Sequence, residues 1–123
     1  MKKIVFVVLL LCGCGPSSYE GFRTEGESIL YAMVRDLEKV ETLEDLHRKE
    51  KRIKKRLDAL SDLMIAYHRF QKNDMREKPP FKPSFASQKL QKELTRIYEI
   101  EGGRKAFESI CKDSLQKIHL NLR

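Results

Sequence analysis

Among its 123 residues the chain has no tryptophan and only three cysteines. It also has no apolar run of bilayer length. The longest unbroken run, Ile4 to Leu11, falls far short of the ~20 residues that a spanning helix needs. His47, His68 and His119 have no HxxxH or CxxC partner, so the pattern points away from a metal centre and implies no cofactor. There is no G-x-S-x-G, no P-loop and no pair of carboxylates in a loop setting, and Ser109 and Ser114 have no base near them in sequence. No catalytic residue is assigned, and the expected protein is not an enzyme. No stretch reads as a convincing strand, and no internal repeat is present.

What the chain does have begins at its first residues, MKKIVFVVLLLCGCG. Lys2 and Lys3 precede the short apolar run, and Pro16, Ser17 and Ser18 close it, which is the layout of an export signal. The end of the run, Leu11-Cys12-Gly13-Cys14, resembles the lipobox of bacterial lipoproteins: an apolar residue, a small one, Gly or Ala, then Cys. The resemblance implies cleavage between Gly13 and Cys14 and a diacylglyceryl group joined to the Cys14 sulfur by a thioether. In bacteria that complete the pathway, the new amino group of Cys14 is acylated as well. Cys12 is the weaker candidate for modification, because Leu10-Leu11 precede it without a small residue. Two or three acyl chains on one residue, at ~0.8 kcal/mol per buried CH₂, would hold the protein to a membrane almost permanently. Gly15 is not Asp, so by the same resemblance the outer membrane is favoured over the inner in a cell that has both.

On this reading residues 1–13 are a signal peptide and 14–27 a lipidated Cys with a flexible tether, GPSSYEGFRTEGE. Residues 28–123 then form one helical domain. Removal of the first 13 residues leaves 110, enough for one small core. It also removes two lysines and no acid, leaving 23 basic against 18 acidic side chains, or +5. A basic protein at a membrane surface favours anionic neighbours such as lipid head groups or acidic polymers. Cys111 is then the one thiol left, with no partner in the chain for a disulfide. It is either buried or available to another molecule, and its place on a stripe with Phe107 and Leu115 favours burial.

The domain reads as all-α, a long helical hairpin or an irregular three- or four-helix bundle. Ile29, Leu30, Met33, Val34, Leu37 and Val40 recur at three and four, predicting a helix over about 28–40. Thr42 with Asp45 three residues on resembles a capping box, with Glu44 beside it in the first turn. A second stripe, Leu43, Leu46, Ile53, Leu57, Leu60, Met64 and Tyr67, predicts a helix over about 43–74, with a break between the two near Val40 to Thr42. Pro79, Pro80 and Pro83 mark an extended linker over 79–86. Ser84 or Ser87 then caps a helix over about 87–101 bearing Leu90, Leu94, Ile97 and Tyr98. Gly102-Gly103 interrupts, and Phe107, Ile110, Cys111, Leu115, Ile118 and Leu122 predict the last helix, about 104–121.

The strongest local feature after the lipobox is the run HRKEKRIKKR. Arg48, Lys49, Lys51, Arg52, Lys54, Lys55 and Arg56 make seven of nine consecutive residues basic. An export signal and the lack of interleaved stacking aromatics argue against nucleic acid. The functional reading is an anionic lipid or polymer surface, or an acidic envelope protein, recognised by charge. The plainer one is a solvated helix face, partly offset by Glu44–Arg48 and Asp45–Lys49 pairs at ~0.2–0.5 kcal/mol each. Gly102-Gly103-Arg104-Lys105 reads as a helix-to-helix turn before an anion-binding nest. Asp58, Asp62 and Glu93 read as ordinary surface charges. An apolar face around Tyr67, Tyr98, Phe81 and Phe85 is a candidate partner groove, unless the linker aromatics fold back over the bundle. The expected protein is a lipid-anchored envelope protein that works by binding, as an adaptor for an envelope partner. The alternatives are an electrostatic binder of anionic lipid or polymer, and a small lipoprotein enzyme or inhibitor.

Overall fold

A computed structural model describes residues 18–73 and 84–122. The lipobox-like Leu11-Cys12-Gly13-Cys14, the start of the expected tether and linker residues 79–83 lie outside the described residues. Within them the protein is all-α: α1 (Tyr19–Glu38), α2 (Leu43–Arg48), α3 (Glu50–Asn73), α4 (Phe85–Tyr98) and α5 (Gly103–Asn121), with no strand. α3 packs between α1 and α5, α1 also packs on α4, and the short α2 rests against α5. No described helix is long and apolar enough to cross a membrane.

The helices start and stop where local chemistry dictates. The Ser18 hydroxyl accepts from the Gly21 N–H at 3.0 Å and opens α1. This is ten residues before the expected start at Ser28, and it turns most of the supposed tether into helix. The reason is a seam that apolar periodicity hides: Tyr19, Phe22, Gly26, Ile29, Met33 and Leu37 follow one another at three and four, with a glycine in the middle. A Cβ on Gly26 would stand 3.5 Å from Leu63, so the seam runs along α3. Thr42 and Asp45 form the expected capping box: the Thr42 hydroxyl accepts from the Asp45 N–H at 3.1 Å, and Asp45 Oδ2 accepts from the Thr42 N–H at 3.2 Å. Asp45 Oδ2 also accepts from the Glu41 N–H, and that bond, first among several, lowers its pKa.

The single helix expected over 43–74 is broken at Lys49, whose N–H is shared among the carbonyls of Asp45, Leu46 and His47. The break leaves Leu46 and Ile53 both fully buried, seven residues apart in one core. Ser84 rather than Ser87 caps α4, accepting from the Ser87 N–H at 3.0 Å. The turn into α5 needs both glycines, for different reasons. Gly102 has φ +79°, where a side chain is strained. Gly103 is buried so close to the Ile97 carbonyl oxygen that a Cβ would collide with it.

Met33, Leu37, Val40, Leu46, Ile53, Ile97, Phe107 and Ile110 form the main core, at the end of the bundle where α1 stops and α5 starts. The opposite end holds a second cluster of aromatic rings. Tyr19 and Phe22 of α1 stand edge-on or tilted to Tyr67 and Phe70 of α3, centroids 5.0–5.9 Å apart. Between the two ends, α3 and α5 approach through small residues. Ser61 and Ser114 are buried, and Ser61 Oγ donates to the carbonyl of Leu57 at 2.8 Å and lies 3.4 Å from that of Ser114. The buried line of α3 is therefore Ile53, Leu57, Ser61, Ile65, whereas Met64, expected inside, is 43 % exposed. Leu115 is likewise exposed rather than part of the α5 stripe.

Candidate functional site

The basic run straddles the break between α2 and α3, and the fold sorts its members. Arg48 pairs with Glu44 at 2.9 Å, as spacing implies, and with Asp45 at 3.8 Å. The expected Asp45–Lys49 pair does not form, because Asp45 is turned to its own backbone cap. Arg52 and Arg56 reach across to α1. Their guanidinium groups lie 3.5 and 3.6 Å from the two carboxylate oxygens of Asp36, which is only 7 % exposed. A carboxylate taken out of water needs compensating charge, and two arginines supply it. Asp36 escaped sequence reasoning because it stands among the apolar residues of α1, between Met33-Val34 and Leu37.

Lys51, Lys54 and Lys55 are exposed and have no acidic partner among the described residues. Lys49 is half-buried and is also without an acidic partner among them. Next to these lysines a shallow depression of about 300 Å³ is lined by Asp45, Arg48, Lys49 and Arg52. The arrangement is a face of exposed ammonium groups beside arginines held in place by carboxylates. It can attract an extended anion; it offers no enclosed chamber in which to orient a small one.

The remaining candidates divide. Asp58 and Asp62 are not idle surface charges: both bind the Lys117 ammonium, which fastens α3 to α5 and raises the Lys117 pKa, the Asp62 bond contributing most. Glu93 pairs with Arg96 at 2.9 Å. Arg96 in turn donates to the carbonyls of Leu37, at 2.7 Å, and Val40, capping the C-terminal end of α1. Ser114 is buried in the α3–α5 contact rather than at the surface. Among the described residues the apolar groove is not assembled. Tyr67 belongs to the aromatic end, Tyr98 stacks edge-on to Phe107 at the other, Phe85 is 63 % exposed, and Phe81 lies outside the described residues. The Gly102-Gly103 segment is a turn whose rim carries Glu99, Glu101 and Glu108 as well as Arg104 and Lys105. Arg104 lies over the Tyr98 ring, 5.5 Å from its centroid.

Cys111 is a half-buried free thiol packed against the main core, and burial pushes its pKa up to about 11. Among the described residues no group of three His, Cys, Asp or Glu side chains is placed to hold a metal ion.

Fold and site together define an all-α bundle bearing one sorted basic face. No protein-family model, curated protein or solved structure matches the chain.

Proposed function

We propose that this is a lipid-anchored protein of the bacterial cell envelope that works by binding rather than by catalysis. The observation that carries the reading is the sequence Leu11-Cys12-Gly13-Cys14 directly after a short signal-like run. Cys14 holds the diacylglyceryl group, the signal is cut after Gly13, and the helical domain is what the anchor displays. Gly15 in place of Asp leans the destination toward the outer membrane where two membranes exist. Binding is supported by the character of the α3 face: Lys51, Lys54 and Lys55 are exposed and have no acidic partner among the described residues, and such groups attract an anionic partner at long range.

Mass spectrometry of the protein taken from its membrane fraction should show a chain beginning at acylated Cys14. Cys14→Ser should leave it unprocessed or released in a soluble fraction. An unmodified Cys14, or cleavage at another bond, defeats the anchored reading. Protease shaving of intact and permeabilised cells then shows which side of which membrane carries the domain.

A further inference from the structure

The two ends of the bundle differ in a way that bears on what the basic face can touch. α1 opens at Ser18, so only residues 15–17 separate Cys14 from folded helix. From Cys14 to Ser18 even a fully extended chain spans no more than ~14 Å. The end nearest the anchor is therefore the aromatic one, built from Tyr19, Phe22, Tyr67 and Phe70. Asp36, which gathers Arg52 and Arg56, lies seventeen residues further along α1. At 1.5 Å per residue that places the basic face ~25 Å from the anchored end, well beyond a Debye length of ~8 Å.

A bundle lying flat would bring the face down, but the charge along α3 opposes this. Lys51, Lys55, Asp58 and Asp62 succeed one another at four, three and four, one outward line of the helix, so the line changes sign below the lysines. Lys117 offsets the two carboxylates only in part. Exposed Arg69 and Lys72, by contrast, sit at the aromatic end, where the anchor holds the lipid close.

We infer that Lys51, Lys54 and Lys55 bind an anionic polymer standing off the membrane, a chain bearing repeated phosphate or carboxylate groups, rather than the lipids that hold the anchor. This rests on the lipid-anchored reading above. Lysine ammonium groups are point charges on flexible stems, suited to a repeating anion met in many registers. The cost of ordering them is offset by release of the polymer's counterions, which makes such binding strongly salt-dependent.

The test uses the full, lipidated chain inserted in phosphatidylcholine vesicles, with or without phosphatidylglycerol, and fluorescent long-chain inorganic polyphosphate as the probe. Polyphosphate should bind equally on both vesicle types and be released by salt. Replacing Lys51, Lys54 and Lys55 together with Gln should weaken binding on the order of a hundredfold, with the circular dichroism spectrum unchanged. Undiminished binding by the triple variant, or binding indifferent to salt, overturns the inference. So does loss of polyphosphate binding only where phosphatidylglycerol is present, because the face would then be occupied by its own membrane. A chain that never joins the vesicles is a different failure: it defeats the anchored reading, and the stand-off geometry falls with it.

Discussion

The sulfur of Cys111 shows how position governs the chemistry of one atom. Packed half-buried against the main core, it loses part of the water that would stabilise a thiolate, and its pKa rises from 9.0 to about 11, desolvation being the larger cause and Glu108 the smaller. Alkylation by iodoacetamide at neutral pH should therefore be slow in the folded protein and quicken on unfolding. The sign of the accompanying stability change follows from linkage: between pH 9.0 and about 11 the unfolded chain releases this proton while the folded chain keeps it. Stability should fall as pH rises through that window, and the fall should shrink in Cys111→Ala, as read by chemical denaturation at a series of pH values. A Cys111 alkylated as fast in the native as in the unfolded protein contradicts this account.

At the scale of the element, the C-terminal end of α1 is held by an interaction that its own sequence does not contain. The last carbonyls of a helix lack full intrahelical pairing, and here the Arg96 guanidinium, from α4, donates to that of Leu37, which also accepts from the Val40 N–H, and to that of Val40 just past the helix, while Glu93 holds it from behind. Arg96→Ala should destabilise the fold by ~1–3 kcal/mol, since it leaves the Val40 carbonyl without its donor beside a fully buried core. Arg96→Lys should recover only part of this, because an ammonium cannot reproduce the two-pronged contact. Equal stability of Arg96→Ala and wild type in urea denaturation would show that water serves those carbonyls as well. The opposite side of the same junction, the Thr42–Asp45 capping box, was legible in the sequence because donor and acceptor lie three residues apart. The Arg96 contacts, over sequence separations of 56 and 59 residues, left no local trace.

For the whole molecule, the close seam between α3 and α5 fixes how the bundle assembles. Ser61 reads as a polar surface position, yet it is 1 % exposed, and its small size lets the helices approach. Ser61→Leu should cost ~1–3 kcal/mol by overpacking, despite making the position more apolar. Ser61→Ala should be nearly neutral: it keeps the volume, and a carbonyl inside a helix already accepts from its own helix. Thermal denaturation of the two variants checks both signs, and a stabilised Ser61→Leu would mean that the seam has room to spare. The same seam explains the shift of the buried line on α3 away from Met64. With Ser61 set against α5, the buried line advances by fours from Ile53 through Leu57 and Ser61 to Ile65, and Met64, one position back, is left exposed.

What the sequence determined by itself was the all-α class, the break before Thr42 and the turn at Gly102-Gly103. Each of these rests on side chains and backbone within four residues of one another, where order along the chain is nearness in space. The tertiary structure decided the early start of α1, because its seam passes through a glycine that only α3 makes meaningful. It also decided which members of the basic run are spent and which are free. Seven basic residues in nine are equivalent as letters, and a charge is neutralised by whatever lies within a few ångströms. Asp36 reaches Arg52 and Arg56 from another helix, and no carboxylate among the described residues reaches Lys51, Lys54 or Lys55. That difference arises only when α1 and α3 are laid side by side.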